Sequence, residues 1–276
     1  MTITKHFKYK YHQGTATTDR GSRIYEVQGF KMPSVTTILA QTKDDEYIRQ
    51  WRNKIGNEEA DRIFNLSSKR GTAMHKFLEK YIQGTGYEDL TEIGVQAKPM
   101  AQKIIEVGLT PISVYYGSEV TLHYPGLYAG TTDLTCLHND KETVVDFKQA
   151  NKPKKQEWID DYFLQTSAYA MAHDYVYGSN IEQCVIMVCT PDLYYQEFKI
   201  DGLQLRSWKH KFLKRLDMYY EKKRDYKEER QIDTNELLKE FEKEANARAN
   251  IQSTNKEVLS PNGRGSTENR YAYVRQ

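Results

Sequence analysis

The sequence predicts an α/β fold, a mixed central β-sheet flanked by helices with an N-terminal helical extension. Three observations carry that prediction. From residue 93 onward the apolar pattern runs helix, three strands, helix, two strands, helix, the order of a sheet covered by helices. Residues 128–149 read as two strands around Asn139-Asp140, a pair that tolerates the positive φ of a two-residue hairpin turn. Residues 45–63 place Tyr47, Trp51, Ile55 and Ala60 on a 3.6-residue period.

Residues 6–31 alternate aromatic and polar side chains in two halves, Phe7 to Tyr11 and Ile24 to Phe30, and predict an irregular β-hairpin. A Gly-rich polar loop from Gly14 to Ser22 separates the halves. Pro33-Ser34 opens a helix through Val35, Ile38 and Leu39. A further helix covers Ser67 to Gln83, with Ser67 or Ser68 as its N-cap and Met74, Phe77, Leu78, Tyr81 and Ile82 as its apolar stripe. Another fits 93–107. Strands fit 112–123, 128–138 and 142–149, an aromatic-rich helix fits 156–176, and strands at 182–190 and 194–200 turn at Pro191-Asp192. Charged helices follow over 203–225 and 234–248. The stretch from Asn250 is rich in Ser, Asn, Gly and charge and predicts a flexible tail. The expected division is 1–65 for the N-terminal hairpin and helices, 66–230 for the core, and 231–276 for the C-terminal helix and tail.

Composition narrows the class. The 276 residues carry a net charge of +2, and no apolar run reaches bilayer length. The N-terminus lacks the apolar core of a signal peptide, which predicts a cytoplasmic protein. Three cysteines, Cys136, Cys184 and Cys189, are too few for a disulfide framework or an iron–sulfur cluster, so no cluster is expected. No GxxxxGK[ST], HExxH or GxSxG pattern occurs, which argues against an NTPase, a zincin protease and a serine hydrolase.

Counting outward from Asn139-Asp140, His138 faces Lys141, Cys136 faces Thr143, and Asp133 faces Asp146. Directly opposed carboxylates repel, and a hard divalent cation such as Mg²⁺ removes that cost. Lys148 lies two residues past Asp146 and shares its face. Two acids and a lysine on one sheet face form a metal-dependent phosphodiesterase constellation. His75 sits at the edge of a helical apolar stripe, where it is either a structural histidine or a further metal ligand. Glu119 is either an edge-strand acid or an additional acid near the metal. Gln165 and Tyr169, four apart on one helix face, would hold a phosphate or orient Lys148. Lys69, Arg70, Lys152, Lys154 and Lys155 flank the constellation as solvated charge or as phosphate contacts.

In order along the chain, His75, Glu119, Asp133, Asp146-Phe147-Lys148 and Gln165 to Tyr169 resemble the PD-(D/E)xK nuclease superfamily, in its RecB-like exonuclease branch. Pro33 to Leu39, Trp51-Arg52 and Arg70-Gly71-Thr72 add a likeness to the mitochondrial-maintenance exonuclease group and its phage-encoded relatives, over residues 30–200. Thr132 stands where the family's signature proline would be. The resemblance implies a restriction-endonuclease-like core. It also implies an exonuclease acting on single-stranded DNA with free ends, in DNA replication, repair or recombination; the oligomeric state stays open, with a monomer favoured. Asp133, Asp146, His75 and the Phe147 carbonyl would hold one or two Mg²⁺ or Mn²⁺ ions, with Glu119 as a further acid. Lys148, Asp133 and Asp146 would act at the cut bond, with Gln165 and Tyr169 positioning substrate. Ser34, Thr36, Lys69, Arg70, Thr72, Lys152, Lys154 and Lys155 would contact DNA. A structure-specific or flap endonuclease, or a catalytically silent DNA-binding protein, are the alternatives.

Overall fold

The Asn139-Asp140 hairpin anchors the sheet. Both residues take positive φ, 49° and 61°, and join strands Tyr128–His138 and Lys141–Gln149 in the anticipated register, from His138↔Lys141 to Leu134↔Val145. The computed structural model describes residues 4–19 and 21–223, together with Lys239 and Lys243, both helical. The chain forms two compact units, Met1–Thr234 and Asn235–Gln276. The helix expected over 234–248 and the tail from Asn250 lie outside the described residues apart from those two lysines.

In chain order the first unit contains β1 (Gly14–Asp19), β2 (Ser22–Val27), β3 (Phe30–Pro33), α1 (Val35–Thr42), α2 (Glu46–Ile55), α3 (Asn57–Gln83) and α4 (Glu92–Lys103). A π-turn over Ile104–Gly108 leads to β4 (Ile112–Tyr124), β5 (Tyr128–His138) and β6 (Lys141–Gln149). Then come α5 (Asp160–Tyr177), β7 (Gln183–Cys189), β8 (Tyr195–Asp201) and α6 (Gly202–Glu221). The main sheet has the order β4-β5-β6-β7-β8. Among these described strands, β6 and β7 pair in parallel and the other neighbours are antiparallel. A parallel pair needs a long crossover, and α5 supplies it.

Burial explains the strand pattern. All seven residues of β7 are buried, as a strand covered on both faces requires. Leu134, Cys136, Val145, Phe147, Val185 and Met187 pack on one face with Met74, Phe77 and Leu78 of α3 and Met100 of α4. Strand alternation turns Asp133, Asp146 and Lys148 to the other face, towards α5. The three cysteines are free and buried in strands.

Two readings change. The loop expected at Gly14 to Ser22 is β1 and the start of β2, paired from Gly14↔Val27 to Asp19↔Ser22. Five of the six β1 residues are exposed, so the strand shows no apolar alternation and its Thr-rich sequence reads as loop. The small sheet β1-β2-β3 packs Tyr25, Val27 and Met32 against Ala129 of β5. The helix expected over 45–63 is two helices, broken at Gly56, whose φ of 87° ends α2. From there α3 runs 27 residues without interruption. Ser67 and Ser68 therefore lie inside it, not at a cap, and it passes through the division expected at residue 65.

Candidate active site

The β5–β6 ladder stops at Leu134↔Val145. One step further, where Asp133 and Asp146 come opposite each other, the Asp133 side chain replaces the missing backbone partner. Its Oδ2 accepts from the Phe147 amide at 2.6 Å. The two strands part at this point, and side chains from both helical layers enter the gap.

His75 enters from α3. Its Nε2 lies 2.7 Å from the Phe147 carbonyl oxygen and its Nδ1 lies 3.3 Å from Asp133 Oδ1. A carbonyl only accepts, so Nε2 donates; a carboxylate also accepts, so Nδ1 donates too. The ring is an imidazolium. Burial opposes that charge, but the Asp133 carboxylate outweighs it and raises the His75 pKa to about 9. Burial works to raise the Asp133 pKa, but His75 and Lys148 outweigh it and hold this acid below the usual carboxylate range.

Asp146, 1 % exposed, and Lys148 form the second pair, Nζ to Oδ2 at 2.5 Å. The contact lies off hydrogen-bond geometry, and Asp146 Oδ2 accepts no hydrogen bond. Burial first, then the nearby Asp133, push Asp146 up to about 6. For Lys148 burial and charge act in opposite directions. Burial does favour the neutral amine, but Asp146 and Asp133 together outweigh it, and the pKa is raised. Lys148 is an ammonium.

From α5, Gln165 Oε1 accepts from Lys148 Nζ at 3.3 Å, and Gln165 Nε2 donates to Tyr169 Oη at 3.3 Å. The expected i, i+4 pair thus acts as a strut behind the lysine. Tyr162 adds its ring 5.2 Å below Nζ. That residue escaped the sequence reading, although its place three before Gln165 was a usable signal. Gly130 was also missed. A Cβ there would lie 2.7 Å from Tyr169 Cε1 and 2.8 Å from its Oη, so only glycine admits the tyrosine at this depth.

Glu119 completes the acidic set. It falls between Ser118↔Leu134 and Val120↔Thr132, hence across from Asp133. Its φ of 53° is unusual for a side-chain-bearing residue and carries a strain of about 1–3 kcal/mol. It is exposed to the cleft, yet the protein crowded around it and the Asp133 carboxylate push its carboxyl up to about 7. Ligand atoms of His75, Glu119 and Asp133 all lie within 4.8 Å of one another. Carboxylate oxygens, an imidazole and a backbone carbonyl suit a hard divalent ion. The Asp146 oxygen, held by the Lys148 ammonium, and the cationic His75, which spans the very oxygens such an ion would take, both mark a place built for positive charge.

His75, Glu119 and Lys148 lie on the wall of a cleft of about 1230 Å³, lined also by Arg23, Thr36, Lys69, Thr72, Lys76 and Tyr87, and Asp133 and Asp146 are buried behind them. The expected DNA-contacting residues separate here. Lys69, Thr36 and Thr72 are exposed on the cleft. Ser34 is buried as the N-cap of α1, accepting from Thr37 N at 2.9 Å. Arg70 is 5 % exposed, and its guanidinium is taken up by Gln149 (2.9 Å), Gln96 (3.5 Å) and Asn151. Lys152 and Lys155 are exposed and Lys154 is half-buried, none of them on the cleft wall.

No family model matches the chain. It is 29 % identical over 229 residues to mitochondrial genome maintenance exonuclease 1 of Mus musculus, covering 77 % of this chain and 66 % of that protein. The protein of the same name from Xenopus tropicalis is 29 % identical over 215 residues, 72 % of this chain and 60 % of its own length. The chain thus spans about two thirds or less of these relatives. A solved alkaline exonuclease from Laribacter hongkongensis is similar over 55 % of this chain and 82 % of its own, at a TM-score of 0.28 and 16 % identity, a loose likeness. Among the described residues no helix is long and apolar enough to cross a membrane. With its ordered acids, lysine and histidine drawn to one cleft, and its sequence likeness to two curated exonucleases, the chain resembles the PD-(D/E)xK exonucleases of the RecB-like branch.

Proposed function

We propose that this chain is a metal-dependent DNA exonuclease that hydrolyses single-stranded DNA from free ends, serving replication, repair or recombination. The observation that carries the reading is the parting of β5 and β6. It brings Asp133, Asp146, Lys148, His75 and the Phe147 carbonyl together just behind the cleft wall that His75 and Lys148 line. Asp133, Asp146, the Phe147 carbonyl and, once deprotonated, His75 would hold one or two Mg²⁺ or Mn²⁺ ions, with Glu119 beside them. When bound, such an ion lowers the pKa of water and stabilises charge on the phosphate. Lys148, kept cationic by its acidic neighbours, neutralises the phosphate and the oxygen attacking it. Gln165 and Tyr169 hold that ammonium in place.

The test is digestion of end-labelled linear single strands with Mg²⁺ or Mn²⁺, beside a circular single strand. Loss of the linear strand and survival of the circle is the expected result. Cutting of the circle would assign an endonuclease, and no digestion of either by the wild type would remove the nuclease reading.

Lys69 and Arg70 are adjacent, but we assign them different work. Exposed Lys69 meets phosphates. Buried Arg70 laces α3 to the residues after Lys148, alongside Ser67 Oγ, which accepts from Asn151 Nδ2 at 2.8 Å. Losing a phosphate contact lowers the slope of log binding constant against log salt by about 0.7 for a single strand. Lys69→Ala is therefore expected to reduce that slope. Arg70→Lys is expected to leave the slope unchanged while digestion falls about tenfold or more, as misplacement near the reacting atoms predicts. An Arg70→Lys slope as low as that of Lys69→Ala would make Arg70 a phosphate contact.

A further inference from the structure

A second, smaller hollow adjoins the cleft. It occupies about 370 Å³ between α3 and α4 and is lined by Phe77, Lys80, Tyr81, Tyr87 and Lys98 among others. Tyr87 lies on the wall of both hollows. We propose that Tyr87, with Tyr81, holds one base of the DNA strand a few nucleotides from the cut bond. This inference rests on the nuclease reading of the cleft and adds a base subsite to it.

Four features point to a nucleotide. The first is size: the hollow sits at the lower end of ligand sites, which run from roughly 300 to 1,000 Å³, enough for one nucleotide and too little for a duplex. The second is an aromatic surface that is placed and yet open. Tyr87 is 37 % exposed, and Phe77 meets it edge-on at 4.9 Å, which steadies the ring without enclosing it. The loop bearing it is tied at both ends. Gly84 caps α3 in the left-handed region, and Asp89 Oδ1 accepts from the Thr91 amide and hydroxyl at 3.0 and 2.7 Å just before α4. A ring held this way loses little freedom when a base stacks on it.

The third is charge. Lys80 and Lys98 flank the rings, opposed on the lining by Glu106. Lys98 pairs with Glu88 at 3.3 Å with both side chains more than half exposed, a contact weak enough to yield to a phosphate. The fourth is position. The cleft wall runs along α3 through His75, Lys76 and Glu79 and reaches Tyr87, and the four residues from His75 to Glu79 rise about 6 Å, roughly two nucleotides at about 3.4 Å per stacked nucleotide. A strand lying over His75 and continuing along this wall therefore reaches the Tyr87 ring. Stacking on it reads no sequence, which suits an enzyme that must accept every base.

The experiment pairs protein and DNA changes. Short single strands, each with one abasic position moved stepwise from the end, are bound in Ca²⁺ to the wild type, Tyr87→Ala and Tyr87→Phe, and Kd is read by fluorescence anisotropy. For the wild type, one abasic position is expected to weaken binding about tenfold relative to its neighbours, as loss of one stacked base predicts. For Tyr87→Ala, the intact strand binds about tenfold more weakly and that position becomes indistinguishable from the rest. Tyr87→Phe, which keeps the ring, restores the wild-type pattern. If the same abasic position still stands out in Tyr87→Ala, or none stands out in the wild type, the subsite is overturned. Failure of the wild type to digest any strand with Mg²⁺, against normal positional binding, would instead overturn the nuclease reading.

Discussion

Lys148→Ala is expected to lower digestion by about two to four orders of magnitude, the range for losing a group that moves or neutralises charge at the reacting atoms. Three features make this residue costly to lose. Its ammonium is charged in the folded protein, it lies 2.5 Å from Asp146, and it is held from behind by Gln165. Removing it also leaves Asp146 buried without its counter-charge, which costs about 3–5 kcal/mol if the carboxylate stays ionised. The stability loss should therefore depend on pH. The folded pKa of Asp146, about 6, lies above its ordinary 3.8. Its contribution to stability is then full below pH 3.8 and lost as pH rises through 6. Without Lys148 that loss grows, so the variant should melt much lower than the wild type at about pH 8 and nearly level with it at about pH 5, both in EDTA. Digestion by Lys148→Ala at the wild-type rate, with melting unchanged, would end the role given to this lysine.

The second large effect concerns metal affinity and pH. His75 holds a proton up to about pH 9, and its two nitrogens are committed to Asp133 and the Phe147 carbonyl. A divalent ion taking those oxygens must displace that proton, since ligands bind metal in their deprotonated forms. The Mn²⁺ binding constant should rise nearly tenfold per pH unit from about pH 7 and level off near 9, about fiftyfold across the interval, with close to one proton released per ion at the lower end. Below about pH 7 Glu119, and below about 6 Asp146, make the rise steeper. His75→Gln should flatten the slope over that interval. Calorimetry in two buffers of different ionisation enthalpy reads both slope and proton count. A flat profile in the wild type, or an equal slope in His75→Gln, would refute the displacement. The same pKa carries a stability consequence of its own. The His75–Asp133 pair stabilises the EDTA-treated protein fully between pH 3.8 and 6.5; that contribution fades as pH rises through about 9 and His75 loses its proton, and again as pH falls below 3.8 and Asp133, its folded pKa held lower still, gains one.

Much of this site is legible in the residues alone. The Asn139-Asp140 turn sets a register in which Asp133 and Asp146 meet, because a two-residue hairpin leaves strand pairing no freedom to slip. The i, i+4 spacing of Gln165 and Tyr169 places both on one helix face. Local rules fail where the signal is not local. β1 is a strand because β2 pairs with it, although its side chains face water. Gly56 divides two helices through a positive φ that composition does not announce. Arg70 looks like a phosphate contact because a lone arginine in a sequence carries no sign of burial, and its three amide partners come from positions 26 to 81 residues away.

Which groups are chemically suited to the proposed site, and which of them share a strand face, follows from residue type and from periods of 2 and 3.6, so both could be read along the chain. The charge on those groups could not, because it is set by the three-dimensional packing. Lys148 is an ammonium and not a free amine, His75 is a cation until an ion displaces its proton, and Asp146 is an acid titrating near 6. Each outcome is a balance between burial and the nearest opposite charge, and both depend on how α3 and α5 close over the gap where β5 and β6 part.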